Sequence, residues 1–535
     1  MTNQEKATSE PALAETSFGR RPRLQGIVIG WLPTVFTTIA LLMGTVLRWV
    51  DLGTRSLWFD EGYTAWAVSR PVGEMIRIIR ADTAPPLFYL VLREWTVLFG
   101  RSEAAMRSLS AVFATLTLWL FVPIARRVLK NPWAVTAAVC FFSLSFMQVA
   151  YAHEARFYAM MAFLGAVDFY LVLLVSERAT FLRLLLMVLT WSASLYTNNM
   201  MAIYLGFLGL AWLVAPGARP WRRRLADLFI VALFSALSFA PWLPTMLAQQ
   251  RALHGHFWAL LPDTLDLART IAVMFGVRDY SFGGFSMAQL VLVDVAIIGL
   301  ALVTLRTRLK LRMASVLILF GFLPIGFVFF YSQIAQPIFM DRAFLLSTLP
   351  LVLLAAMPLA APIPVGPKRI FGAAAVALIW CQVRSLPTQV EGTQDEDWRS
   401  ALRFVVQTPA KRRIVVFVAN EGELLYDYYL RNGDYAPRPP LIGVPASFFA
   451  LKPPHTMRRV ESDDDLNELR ALVDTGKFDE LVFVGSHNWF ADPQLRTIHF
   501  LQGRLPLIEQ KTVTRITVFR FGPAAIVPVR DEFPR

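Results

Sequence analysis

Long apolar runs alternate with short basic clusters over most of this chain. Residues 24–47 carry no charged side chain over 24 positions, enough for a helix to cross a hydrocarbon core of about 30 Å. Polar residues 1–23 precede that run, with Arg20, Arg21 and Arg23 at its edge, and no small-residue cleavage pattern follows it. It therefore reads as an anchor and not as a removed signal peptide. Comparable runs follow at 109–125, 133–151, 157–175, 184–196, 200–214, 228–243, 290–305, 314–331, 344–361 and 373–383. The pattern predicts about eleven transmembrane helices. If the first runs outward, alternation puts Arg126, Arg127 and Lys130, then Arg178 and Arg183, then Arg219 and Arg222 to Arg224 on the cytoplasmic side. Arg306, Arg308, Lys310 and Arg312, and finally Lys368 and Arg369, fall there too, as the positive-inside rule requires.

Beyond residue 386 the pattern changes. R-I-V-V-F-V, E-L-V-F-V-G and T-V-T-R-I-T-V-F-R-F read as strands. Helical stretches near 423–430 and 465–473 alternate with them, the second stopped by Gly476. Such alternation argues a small α/β domain. The expected organisation is a cytoplasmic tail (1–23), a transmembrane domain (24–386) with a large first outer loop at about 48–108, and a soluble α/β domain (387–535) outside. The acidic runs at 395–397 and 463–465 read as helix-start charges. Ser486, His487 and Asn488 follow a strand end, where ligands can bind.

Charge sharpens this division. The chain has 535 residues, 56% of them hydrophobic and 17% charged, with a net charge of +13 and a mean hydropathy of +0.48. Residues 1–386 hold 33 basic and 19 acidic side chains, and residues 387–535 hold 19 and 20. The excess of base thus belongs to the membrane half, where it orients spans. It does not mark a nucleic-acid-binding face. The two cysteines, Cys140 and Cys381, fall in or beside apolar runs, which argues against a structural disulfide and a thiolate metal site.

In a chain so poor in charge, polar groups on the outer side stand out. The first outer loop reads S-L-W-F-D-E-G-Y-T-A-W, with adjacent carboxylates Asp60 and Glu61. A-D-T-A-P-P-L-F-Y-L follows, with Asp82 ahead of a Pro pair that opens a helix. The apolar segments 76–79 and 87–99 are short and interrupted, as suits amphipathic helices in the interface. His153, Glu154, Arg156 and Tyr158 gather at a span boundary in Y-A-H-E-A-R-F-Y, and Asp341 and Arg342 lie in Q-P-I-F-M-D-R-A-F. Gln249, Gln250, Arg251, His254 and His256 occupy a later loop. Singly, each has an ordinary reading: Asp82 as an N-cap, Arg156 as a snorkelling cation, the histidines as solvated loop residues. Asp168 and Asp294, inside spans, read most simply as helix–helix hydrogen-bonding groups. Together the outer carboxylates suggest a general base, and the arginines suggest a bound phosphate, whose oxygens match a guanidinium fork.

W-F-D-E-G-Y, D-T-A-P-P-L-F-Y-L and Y-A-H-E-A-R-F-Y-A-M, in that order, resemble the GT-C-fold glycosyltransferases that use polyprenyl-phosphate sugars. These include the protein O-mannosyltransferases, the aminoarabinose transferases of lipid A and the transferases that add galacturonic acid to lipopolysaccharide. The resemblance covers roughly residues 25–385. It implies that Asp60 acts on the acceptor hydroxyl, that Glu61 completes an acidic pair and that Asp82 is a second catalytic carboxylate. It implies a donor-phosphate and substrate site at Arg156, Arg342, Tyr158 and Glu154. Two departures matter. The family often has His where this chain has Ala84, and again where it has Asn198 and Asn199. Some relatives use a divalent ion and others none. Here Asp82 and His256 are the candidate ligands, and no cofactor is required by the sequence.

The expected activity is inverting transfer of a sugar from a polyprenyl-phosphate donor to an envelope acceptor. That acceptor would be lipopolysaccharide, another glycan or lipid, or protein, met at the outer face of the plasma (inner) membrane. A polyprenyl-lipid flippase would also need many spans and phosphate-binding arginines. It would not need carboxylates at the outer mouth, and it would usually carry internal repeats, which this sequence does not display.

Overall fold

The computed structural model describes residues 24–253, 259–275, 311–360, 365–390, 396–407, 410–431, 439–450 and 459–523. The first part is helical. Trp31–Trp49, Glu103–Leu129, Tyr158–Glu177, Leu311–Ile334 and Asp341–Ala360 are each long and apolar enough to cross a bilayer. Two bent pairs raise these five to seven: Pro132–Ser143 with Phe146–His153, and Trp221–Phe239 with Leu243–Ala252. Phe181–Thr197 and Met200–Val214 are apolar but shorter. By length and apolarity, then, five to seven spans stand among the described residues where eleven were expected. The run at 290–305 and Asp294 lie outside those residues, and 373–383 forms part of a longer helix, Val365–Val390. Large apolar side chains such as Trp119, Phe229, Phe234, Phe330 and Trp380 face outward, as a lipid-facing surface does.

Local chemistry sets the helix ends. Ser102 accepts from the Ala105 amide at the start of Glu103–Leu129. Asn131 accepts from the Trp133 and Ala134 amides at the start of Pro132–Ser143, whose first position is proline. The 52° bend after Ser143 exposes carbonyls that a straight helix would use. Arg48, fully buried on the first helix, takes them up: Nη1 donates to Ser143 O (3.1 Å) and Nη2 to Phe142 O (3.3 Å). Gly44 allows this approach, since a Cβ there would sit 2.8 Å from the Ser143 Cβ. Asp168 accepts from Ser194 Oγ at 2.7 Å, joining two helices as expected.

The tail forms a five-stranded sheet in the order β2-β1-β3-β5-β4. Its strands are β1 (Arg413–Val418), β2 (Leu441–Gly443), β3 (Glu480–Gly485), β4 (Leu507–Val513) and β5 (Ile516–Phe521). β1 runs parallel to β2 and β3, and β5 antiparallel to β3 and β4. β1 and β3 are buried throughout, which explains their unbroken apolar runs. The single strand expected at 512–521 is instead the end of β4, a turn and β5. Asp397 caps the helix Trp398–Val406 by accepting from the Ser400 amide (3.0 Å), and Gly476 ends Asn467–Thr475 in the left-handed region (φ 59°).

The first loop and the tail are bonded together. Ser56 Oγ donates to Glu396 O (2.8 Å), Tyr429 Oη accepts from the Leu57 amide (2.7 Å), and Arg399 Nη2 donates to Glu103 Oε1 (2.5 Å). Gly62 brings the helix Phe59–Val68 against the helix Gly422–Arg431, where a Cβ would fall 2.7 Å from the Leu425 side chain.

Candidate active site

A cavity of about 790 Å³ lies where the membrane helices, the first loop and the sheet domain meet, within the size range of small-molecule sites. Asp60, Asp82, Arg156, Tyr158 and Arg342 all line it. Residues separated by up to 282 positions in sequence thus share one site. The amphipathic segments expected at 76–79 and 87–99 are the helices Val72–Arg80 and Leu87–Phe99, and they frame the loop that carries Asp82.

Asp60 opens the helix Phe59–Val68, its side chain one-third exposed. Its Oδ2 lies 3.8 Å from Arg156 Nη2 and 3.8 Å from Arg342 Nη1. These are ion-pair distances but longer than hydrogen bonds, so the carboxylate is attracted by both cations without being consumed by either. Arg156 is positioned by its other nitrogen. Nη1 donates to Asp60 O (3.3 Å), Thr64 Oγ1 (3.1 Å) and Tyr89 Oη (3.4 Å). Nε has no partner among the described residues, which leaves the Nε–Nη2 edge of the fork open to a bidentate anion. Arg342, on the 3-10 segment Asp341–Ser347, lies with its guanidinium 5.9 Å from the Trp58 ring centre.

Asp82 accepts from Tyr89 Oη (3.1 Å) and Thr83 Oγ1 (3.4 Å). Burial pushes its carboxyl up from the ordinary range, while the Arg156 charge pulls it back. Asn199 Nδ2 donates to Thr83 O (2.9 Å), bracing the same loop. Gln249 is buried and donates to Ile79 O (3.0 Å), whereas Gln250 and Arg251 reach the cavity. His254 and His256 lie outside the described residues.

Glu61, expected to pair with Asp60, points elsewhere. The two neighbouring carboxylates do not meet at one place, because successive helical residues point about 100° apart. Glu61 is fully buried and absent from the cavity wall. Its Oε1 accepts from Arg107 Nε (2.8 Å) and its Oε2 from Arg107 Nη2 (2.5 Å). The Ala155 amide donates to Oε1 (2.8 Å), so Glu61 holds the turn on which Arg156 sits. Glu154 is likewise outside the cavity wall.

The soluble domain contributes a second wall that the sequence motifs do not announce: Glu421, Phe448, His487, Trp489 and Phe490. His487 follows the end of β3, already notable in sequence, and its Nδ1 lies 3.1 Å from Glu396 Oε1. Glu421 follows β1. The available signal was the position itself, since both residues come just after parallel strands, where ligands bind in α/β sheets.

As to metal, the donor set is thin. Among the described residues no three His, Cys, Asp or Glu side chains converge, and Asp82 already accepts from two hydroxyls.

Fold and site together describe a largely helical protein with several helices long and apolar enough to cross a membrane, and an α/β domain that shares a charged cavity with them. Residues 83–244 match the family model of dolichyl-phosphate-mannose-protein mannosyltransferase. ArnT from Cupriavidus metallidurans in the apo state is similar over 92% of this chain and 98% of that one, at 14% identity and a TM-score of 0.55. The same protein bound to undecaprenyl phosphate is similar over the same shares, at 14% identity and a TM-score of 0.52. These likenesses establish the fold. No curated relative matches the chain by sequence.

Proposed function

We propose that this chain is an integral-membrane inverting glycosyltransferase. It moves a sugar from a polyprenyl-phosphate carrier to a hydroxyl of a cell-envelope glycan, lipid or protein at the outer face of the membrane. The carrying observation is Asp60, set between two guanidinium groups at 3.8 Å on the wall of a cavity of about 790 Å³. The similar ArnT structure with undecaprenyl phosphate supports the choice of carrier.

In this reading the N-terminus is cytoplasmic, the membrane is the inner one, and the α/β domain lies outside. Asp60 accepts the proton of the acceptor hydroxyl as its oxygen attacks the anomeric carbon. The bond to the carrier phosphate breaks on the opposite face, which inverts that centre. Positive charge spreads over the ring carbon and oxygen as it does in glycoside hydrolysis, and negative charge collects on the departing phosphate. The open edge of Arg156, with Arg342, meets that charge from fixed positions. As phosphate engages the arginines, their hold on Asp60 weakens and its lone pairs turn to the hydroxyl. Asp82 and Tyr158 line the remaining wall as substrate contacts. No step is routed through a metal.

The test is transfer by purified protein in sealed lipid vesicles, given radiolabelled polyprenyl-phosphate sugars and a cell-envelope extract. Label moving onto an acceptor with inverted configuration is the expected result. Label that only crosses a vesicle membrane would replace the transferase reading with a transporter.

A further inference from the structure

The sheet domain has a topological switch point, and it opens onto the cavity. From β1 the chain goes to β2 on one side and later to β3 on the other, all three parallel. In open α/β sheets the crevice outside the carboxyl ends of two such strands is where ligands bind. Here that crevice lies between the segment after Val418 and the segment after Gly485, and Glu421 and His487 from those two segments line the cavity that holds Asp60.

A buried polar atom without a partner lies at the same wall. Glu421 is 92% buried (8% exposed), yet its Oε2 has no hydrogen-bond partner among the described residues. Asn420 Oδ1, Ser486 Oγ and Asn488 Oδ1, on the same two segments after β1 and β3 but not on the cavity wall, are also unpartnered among the described residues. Buried polar atoms normally find partners, so such a group at a cavity wall points to a ligand with hydroxyls or amides. Beside them, Trp489 is 59% exposed and lines the same cavity. A large indole left open next to hydrogen-bonding groups suits a ligand with one apolar face and a polar rim. A saccharide ring has that form.

We infer that the soluble domain forms the sugar-recognising wall of the cavity, with Glu421 bonding ring hydroxyls and Trp489 packing against the C–H face of a neutral saccharide. The inference rests on the transferase reading and adds the part of the molecule that reads the sugar. Burial, together with the charges of Asp60, Glu423 and Glu396, pushes the Glu421 carboxyl up to about 8. At neutral pH it is therefore mainly protonated and both donates and accepts a hydrogen bond. A neutral carboxyl suits an uncharged sugar better than an amino sugar, which would favour the ionised form. The ring is either the donor's own sugar or a sugar of the acceptor, and the chemistry at Glu421 is the same for both.

Binding to the full-length protein in nanodiscs separates these cases. The probes are polyprenyl phosphate, a panel of polyprenyl-phosphate monosaccharides (neutral pentose, neutral hexose, 4-amino sugar) and, after saturation with bare polyprenyl phosphate, free methyl glycosides. The wild type should bind one neutral sugar-bearing lipid, or one glycoside, at least about 10-fold better than the sugar-free control, a gain typical of one or two hydrogen bonds. Glu421→Ala and Trp489→Ala should each erase most of that gain, Glu421→Gln should keep it within about threefold, and none should alter affinity for bare polyprenyl phosphate. A gain with the lipid-linked sugar assigns the wall to the donor, and a gain with the glycoside assigns it to the acceptor. An increment unchanged in both alanine variants, absent from every neutral sugar, or confined to the amino sugar overturns the inference. Failure of the wild type to bind any polyprenyl phosphate would instead overturn the transferase reading beneath it.

Discussion

Two acid–arginine clusters lie on neighbouring residues of one short helix and are built in opposite ways. Around Glu61 the geometry is closed. Both oxygens are held by Arg107, and the rest of that guanidinium donates to Leu52 O, Arg55 O and Ser56 O at 2.9–3.0 Å. Around Asp60 the geometry is open, with two cations at 3.8 Å. A closed cluster fixes backbone, because every donor has its acceptor and nothing is left for a ligand. An open cluster holds charge in place while keeping bonding capacity, which is what a site that must receive both a hydroxyl and a phosphate requires. Neighbours in sequence thus differ, one carboxylate locked into the fold and the other facing the cavity.

The difference can be broken from either end. Asp60→Asn keeps the shape of the open cluster and removes the base. Transfer should fall by roughly 100- to 10,000-fold, the range for loss of a general base, while thermal stability stays near wild type. Turnover close to wild type in the labelled-lipid assay would sink the assignment of Asp60. Glu61→Ala attacks the closed cluster and leaves the Arg107 charge buried without its carboxylate. That loss should cost about 3–5 kcal/mol, read as a large drop in melting temperature and yield. If Glu61→Ala were as stable as wild type and merely inactive, Glu61 would belong with the reacting groups after all.

How much of this could be read from sequence follows the same physics. Long apolar helices and the α/β alternation of the tail were legible because apolar period is a local property. The five cavity residues Asp60, Asp82, Arg156, Tyr158 and Arg342 were legible because charge is scarce near a membrane and each one breaks an apolar background. The division between Asp60 and Glu61 was not, since it depends on which face of a helix meets Arg107, 46 residues away. Glu421 was hidden for another reason. The α/β domain is ordinary in composition, so one more carboxylate there carries no signal until the fold turns the end of β1 toward the cavity. The role of Arg48 was not legible either, because its partners are carbonyls that only the bend after Ser143 frees.

Smaller effects sharpen the comparison within the open cluster. Arg342→Ala removes one of the two cations at 3.8 Å while leaving the hydrogen bonds of Arg156 Nη1 intact. Loss of a charge-assisted contact to phosphate should raise the KM for the lipid-linked donor about 10- to 100-fold, with a lesser change in kcat. Donor dependence equal to wild type would remove Arg342 from the phosphate site and leave Arg156 alone there.

The smallest effect concerns pH and sets the open cluster beside the wall that faces it. Glu421 has its carboxyl raised from an ordinary 4.5 to about 8 by burial, with Asp60, Glu423 and Glu396 as the neighbouring charges. A raised carboxyl favours the folded state while protonated. That contribution is complete below about pH 4.5 and is lost as pH climbs through about 8. Glu421→Gln carries no titrating proton, so its apparent melting temperature should converge with wild type near pH 5 and exceed it by a few degrees at pH 9. Glu423, raised to about 7 mainly by burial, gives a background of the same sign in both proteins, and its repulsion with an ionised Glu421, lost in Glu421→Gln, widens the difference in the same direction. Thermal melts of the two proteins across pH 5 to 9 check this directly. Parallel curves would mean that Glu421 is already ionised in the fold, and the cavity would then face its sugar with a charged wall on both sides.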